Sequence, residues 1–207
     1  FYDTLTPEQQ ENLLAQIEGI DWSLLDVLKT HETVNARGTF APLSAMELSQ
    51  IDANRAHLEE VGLQAIREGK VAAVLLAGGQ GTRLGFDKPK GMYNIGVTRE
   101  LYIFECLINN VMEIVKKAGA WIPFYIMTSD KNYDDTTAFF KQEMAPSVDY
   151  NGKLLMEAPD RLSLSPNGNG GWFSSLCRYG YDKQMKEAGV EWLTAFAVDN
   201  VLQRIND

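Results

Sequence analysis

Apolar residues change their period near Lys70, from the three-to-four spacing of helices to short unbroken runs. Before that point, Thr6-Pro7-Glu8-Gln9 offers an N-cap, a proline at the first helical position and a glutamine at the third. Leu13, Leu14, Ile17 and Ile20 follow at helical spacing. Residues 22–29, with Leu24, Leu25, Val27 and Leu28, predict a second helix, and residues 37–43, holding Gly38 and Pro42, a linker. Ser44-Ala45-Met46-Glu47 has capping-box spacing and predicts a helix running to Glu68, closed by Gly69. Its acidic positions Glu47, Asp52, Glu59 and Glu60 predict a solvated face.

After Lys70 the unbroken apolar run 71–77 has the length of a buried strand and meets glycines at once. Residues 101–118 carry Leu101, Phe104, Leu107, Ile108, Val111, Ile114 and Val115 at helical spacing, and Gly119 closes them. PFYIMT (123–128) predicts a second strand, 134–141 a short helix, and 172–188 a longer one. Between them, 142–171 is rich in Gly, Pro and Asn and reads as irregular. WLTAFAV (192–198) predicts a third strand, ending in Asp199-Asn200. Strands alternating with helices predict an α/β fold: a Rossmann-like, mainly parallel sheet with helices on both faces. The expected division is a helical N-terminal segment, 1–69, and an α/β nucleotide-binding domain, 70–207. Ligands of such sheets collect at the carboxyl ends of strands, where the glycine run and Asp199 both fall.

Charge narrows the partners. Nineteen basic against 28 acidic residues give a net charge of −9, which argues against a general nucleic-acid ligand and against docking on anionic membranes. It does not argue against one nucleotide, which a few local donors can hold. There is no apolar run long enough to span a bilayer. Cys106 and Cys177 are too few for a disulfide framework and lack metal-ligand spacing, so they read as helix-face residues. His31 and His57 have no paired ligand nearby in sequence. Residues 1–7 lack the pattern of a secretory leader, and a cytoplasmic location is expected.

The chemistry concentrates in LLAGGQGTRLGFDKPKG, residues 75–91. Gly78, Gly79, Gly81 and Gly85 let backbone N–H groups approach an anion, and Arg83 and Lys90 add permanent positive charge. No GxxxxGK[ST] aligns, so the loop is not of the Walker A type. Gly79, Gly81 and Gly85 give GxGxxxG, a loose relative of the dinucleotide fingerprint. That fingerprint wants an acidic residue at the end of the second strand, whereas Glu100 and Glu105 fall in the helical segment, so a dehydrogenase fits poorly. Asp199, taken alone, reads first as the cap of the next segment; beside a phosphate loop on the same sheet it reads as a metal ligand. NGNGG (167–171), taken alone, reads as a flexible turn before the helix that starts at Trp172.

AGGQGTRLG together with PKGMYNIG resembles the eukaryotic UDP-N-acetylglucosamine pyrophosphorylase family, within the wider group of UDP-sugar uridylyltransferases. FYIMTS (124–129), SPNGNGG (165–171) and AVDN (197–200) follow in the family's order. The resemblance implies that Leu76, Ala77, Gly78 and Gly79 line uridine and ribose, while Gly81, Thr82 and Arg83 hold the triphosphate. It implies that Lys90 neutralises the α-phosphate, that Gln142 reads uracil, and that Gly168 and Asn169 contact base and sugar. Asp199 would bind Mg²⁺. The implied reaction is attack of N-acetylglucosamine 1-phosphate on the α-phosphorus of UTP, giving UDP-N-acetylglucosamine and pyrophosphate. Fixed positive charge and a metal suit the charge that grows on the phosphorus oxygens. Glu143 stands where the family carries glycine, and family members continue beyond AVDN into a half that contacts the sugar. The expectation is therefore the N-terminal, nucleotide-binding half of such an enzyme, with a non-catalytic uridine-nucleotide module as the alternative.

Overall fold

The structure, a computed structural model, describes residues 1–28, 41–134, 136 and 140–204. Its helices are α1 (Pro7–Glu18), α2 (Leu48–Arg67), α3 (Ile103–Ala118), α4 (Trp172–Arg178) and α5 (Tyr181–Glu187). Its strands are β1 (Val71–Leu76), β2 (Phe124–Thr128), β3 (Phe140–Lys141), β4 (Met144–Pro146), β5 (Met156–Ala158), β6 (Arg161–Leu162), β7 (Leu164–Pro166) and β8 (Trp192–Ala197). They pack as two units, Phe1–Leu43 with Glu143–Asn167, and Ser44–Gln142 with Gly168–Asp207.

The second unit is built on a four-stranded sheet in the order β3-β2-β1-β8, every pair parallel. The run VAAVLL makes the central strand because both of its faces are covered, so no polar position is needed. Val71, Ala73 and Leu75 pack with Ile66 of α2 and with Ile103, Leu107, Val111 and Val115 of α3. Val74 and Leu76 pack on the other face with Leu176 of α4 and Met185 of α5. The expected parallel sheet with helices on both faces is thus the architecture observed. From β1 the chain passes through α3 to β2 and β3 on one side, then returns to β8 on the other. The strand order therefore switches between β1 and β8, the place where open α/β sheets bind ligands.

Several elements differ from the sequence reading. The α2 helix begins at Leu48, with Glu47 as N-cap, and the Glu47 N–H donates to Gln50 Oε1 at 2.9 Å. A second box one turn later, Glu47 with Gln50, thus displaces the one expected at Ser44. The acidic face of α2 is exposed as expected, with Asp52 paired to Arg55, Glu60 to Arg67 and Glu59 to Lys117. The expected helix 172–188 is two helices, because Gly180 turns left-handed at φ +77° between α4 and α5. Phe140 and Lys141, expected at a helix end, are strand β3, with Met127 opposite Phe140 in the parallel register. Residues 135 and 137–139 of that expected helix lie outside the described residues.

In the first unit, the capping box of α1 forms as read: Gln9 N–H donates to Thr6 Oγ1 at 3.3 Å and Thr6 N–H to Gln9 Oε1 at 3.0 Å. Leu13 packs with Leu5 and Leu162 in a small core, and Gln16 Oε1 accepts from the Leu162 N–H at 2.9 Å. The stretch 142–171, read as irregular, holds two antiparallel ribbons, β4 with β7 and β5 with β6. Strands of two or three residues are too short to show a period of two in the sequence. Trp22–Leu28 is 3₁₀ rather than α-helical; Lys29, His31 and residues 37–40 of the expected linker lie outside the described residues.

Candidate functional site

Parallel register brings four strand ends to one edge of the sheet. Leu76 at the end of β1 lies beside Met127 on β2 and Ala197 on β8. The glycine loop, Ser129, Gln142 and Asp199 all follow within a few residues of those ends.

The loop after β1 folds back on itself. Gly81 N–H donates to the Lys88 carbonyl at 3.1 Å and Lys90 N–H to the Gly79 carbonyl at 3.2 Å, around an antiparallel bridge between Gln80 and Pro89. A side chain at Gly81 would lie 2.8 Å from Phe86, so this crossing requires glycine. Thr82–Leu84 form a 3₁₀ turn, closed by Gly85 in the left-handed region at φ +67°. Arg83 projects from that turn, exposed, and no carboxylate pairs with it among the described residues. A second 3₁₀ turn, Lys90–Met92, seats Gly91 directly under the ring of Phe104 from α3. Lys90 is thereby fixed by backbone and packing, and its Nζ reaches Asp199 Oδ1 across the switch point. Asp199 is exposed and caps no helix among the described residues; the turn behind it is closed by Asn200 Oδ1, which accepts from the Leu202 N–H at 3.1 Å.

On the other side of the loop, Gln142 N–H donates to the Thr128 carbonyl at 2.6 Å, extending the ladder one residue past β3. Its side chain is buried and lies across Gly78, where a Cβ would stand 2.8 Å from Gln142 Oε1. Lys141 is drawn away to Asp130, Nζ to Oδ1 3.0 Å, and rests 4.5 Å from the centre of the Tyr133 ring. The hydrogen bond to Asp130 raises the Lys141 pKa, against a smaller opposing effect of burial. Thr128 Oγ1 and Ser129 Oγ are buried without a hydrogen-bond partner among the described residues.

The predicted residues therefore gather in two contacts, Gly78 with Gln142 and Lys90 with Asp199, with Leu76 at the end of β1 and Ala77, Gly79, Gly81 and Thr82 on the loop that follows. Gly168, at φ +85°, and Asn169 stand exposed in the turn before α4, and no hydrogen bond joins them or Arg83 to the others among the described residues. Cys106 and Cys177 are half-buried on α3 and α4, as helix-face residues should be, and burial raises the Cys177 pKa. His57 lies on α2. One residue was missed in the sequence: Asn132, fully buried, whose amide meets the backbone of the glycine loop. The only sequence signal was a polar residue just beyond the end of the strand beside the loop.

A parallel sheet with a glycine-rich loop at its switch point belongs to the Rossmann-like nucleotidyltransferase class. The family described as UTP–glucose-1-phosphate uridylyltransferase matches residues 15–207, and the chain belongs to that family. It is 31% identical to UDP-N-acetylhexosamine pyrophosphorylase-like protein 1 of Mus musculus, over all of this chain and 48% of that protein. It is also 31% identical to the UDP-N-acetylglucosamine pyrophosphorylase of Saccharomyces cerevisiae, over all of this chain and 50% of that protein. The fold matches the Trypanosoma brucei uridine diphosphate N-acetylglucosamine pyrophosphorylase, crystallised with an inhibitor, at TM-score 0.75 and 24% identity, over all of this chain and 49% of that one. The chain spans about half the length of the curated relatives it matches. Among the described residues no helix is long and apolar enough to cross a membrane.

Proposed function

We propose that the chain carries the nucleotide half of a UDP-N-acetylglucosamine pyrophosphorylase, which transfers a uridylyl group from UTP to N-acetylglucosamine 1-phosphate. The products are UDP-N-acetylglucosamine and pyrophosphate, and the compartment is the cytoplasm. The observation that carries this reading is the meeting of Lys90, from the glycine loop, with Asp199, from the end of β8, at the switch point. The names of the relatives favour the N-acetylated sugar.

On this reading the loop backbone from Leu76 to Gly79 and the Gln142 amide receive the uridine. Gly81, Thr82 and Arg83 hold the triphosphate, and Gly168 and Asn169 reach the base and sugar. The Lys90 ammonium sits where negative charge grows on the α-phosphorus oxygens as the sugar phosphate attacks and pyrophosphate leaves. A fixed cation that needs no reorganisation lowers that barrier, and each such contact is worth about 3–4 kcal/mol in comparable sites. Among the described residues no cluster of three or more His, Cys, Asp or Glu side chains forms a ready metal cage. One exposed carboxylate still fits Mg²⁺, which commonly takes one or two protein carboxylates and fills its shell with water and substrate phosphates. Asp199 would hold it, and it would supply charge neutralisation at the phosphates.

The test is calorimetry of the chain with UTP, ATP and N-acetylglucosamine 1-phosphate, with Mg²⁺, followed by a product assay. Binding of UTP in preference to ATP is expected. Equal affinity for the two nucleotides would overturn the uridine assignment. UTP binding without turnover would favour a uridine-nucleotide module, since aligning both reactants supplies about 7–11 kcal/mol of such a barrier.

A further inference from the structure

Asn132 sits in the 3₁₀ turn after β2, with no exposed surface. Its Nδ2 donates toward three consecutive carbonyls of the glycine loop: Ala77 at 3.5 Å, Gly78 at 3.3 Å and Gly79 at 3.2 Å. Its Oδ1 accepts from Gln80 Nε2, so one buried amide engages four successive loop residues. Two amide hydrogens serve three acceptors, and the bonds are shared.

The consequence comes from peptide geometry. In a trans peptide the carbonyl of one residue points opposite to the N–H of the next. Turning the carbonyls of Ala77, Gly78 and Gly79 toward Asn132 turns the N–H groups of Gly78, Gly79 and Gln80 away from it. None of those three N–H groups finds an acceptor among the described residues. The N–H of Ala77 just before them is spent on the Met127 carbonyl at 2.8 Å, and that of Gly81 just after is spent on Lys88. Three unspent donors in a row, next to Lys90, whose own N–H is given to the Gly79 carbonyl, form a concentrated electropositive edge.

We propose that Asn132 is a positioning residue: it clamps the glycine loop from behind so that the N–H groups of Gly78, Gly79 and Gln80 face the nucleotide. This rests on the proposed UTP reading for the ligand, but the clamp itself concerns the free chain. It acts through the backbone and touches no reacting atom. Its partner Gln80 holds only the acceptor side of the amide, so losing Gln80 leaves the three carbonyl bonds in place.

The test compares the chain with Asn132→Asp and Asn132→Leu, both close to Asn in size, and with Gln80→Ala. Two readouts are taken: UTP affinity by calorimetry, and the backbone amide shifts and exchange rates of residues 78–80 without nucleotide. Asn132→Asp keeps the acceptor for Gln80 and removes the donors. Its Kd for UTP is expected to rise about 10- to 100-fold, the effect of losing one or two well-placed donors. The amide shifts of Gly78, Gly79 and Gln80 are expected to move in Asn132→Asp, whereas Gln80→Ala, which keeps the three carbonyl bonds, should leave those of Gly78 and Gly79 close to the parent's. Should Asn132→Leu fail to fold, Asn132→Asp against Gln80→Ala still decides the matter. Unchanged UTP affinity and unchanged loop amides in Asn132→Asp would overturn the clamp. Shifted loop amides in a chain whose parent form does not bind UTP would uphold the clamp and take down the nucleotide reading instead.

Discussion

Gly91 is the point where packing and site meet most tightly, and Gly91→Ala tests it. An added Cβ would lie 2.3 Å from Phe104 Cζ and 2.4 Å from both Cε atoms. Carbon atoms rest at roughly 3.5–4.0 Å, so the overlap exceeds about 1 Å. Rotation of the ring about its own axis gives no relief, because Cζ lies on that axis. Escape requires a change of χ1 in Phe104, which packs against the core of β1 and α3, or a shift of the Lys90–Met92 turn. Overpacking of this kind costs about 1–3 kcal/mol. For a chain of this size that lowers the melting temperature by roughly 2–4 °C per kcal/mol. Urea unfolding of the parent, Gly91→Ala, Phe104→Leu and the double variant separates the causes. Phe104→Leu removes the ring tip, so in the double variant the alanine should cost markedly less than in the parent, a coupling of at least about 0.5 kcal/mol. Simple additivity of the two substitutions would refute the account, because the clash would then not be with the ring.

The site itself yields further measurable outcomes. Lys90→Ala and Arg83→Ala should each weaken UTP binding by about 10- to 100-fold, the loss of one charge-assisted contact, while thermal melts change little. Calorimetry beside a melting curve checks both, and parent-like affinity in either removes that residue from the site. Asp199→Asn keeps the shape and loses the charge, so the gain in UTP affinity on adding Mg²⁺ should shrink; an undiminished gain would assign the cation elsewhere. Gly180→Ala places a side chain at φ +77° between α4 and α5 and should cost about 1–2 kcal/mol of stability, read from urea midpoints, without changing UTP affinity.

What the sequence showed and what it hid divide along the range of the interactions. The β1 run, the glycine loop and α3 are written in consecutive residues, where an apolar stretch meets glycines and then helical spacing resumes. Strand β3 is two residues long and exists because Phe140 and Lys141 pair with Met127 and Thr128, a contact no local pattern announces. The break at Gly180 was masked because Trp172, Leu176, Tyr181 and Met185 all pack on the same face of the sheet. Their spacing runs four, five, four, and the extra residue at the centre marks the turn. Asn132 showed only as a polar residue just past β2, since a buried amide that serves a distant loop looks like any polar residue of a turn.

The Lys90–Asp199 pair shows how this non-local order serves the proposed chemistry. The two residues stand 109 positions apart and meet because β8 returns to the side of β1 away from β2. The pair is partly solvated, with 25% and 62% of the two side chains exposed, and pairs in that setting are worth about 0–1 kcal/mol. So weak a contact stabilises the fold little, and exchanging it for phosphate and cation costs little. While it lasts, it keeps each charge aimed at the other, over the ground where a triphosphate would lie. A buried, strongly coupled pair in the same place would resist the ligand that the site is proposed to hold. Weakness of the ion pair is therefore what the binding function requires, and rigidity is left to the glycine crossings and the Asn132 clamp beneath it.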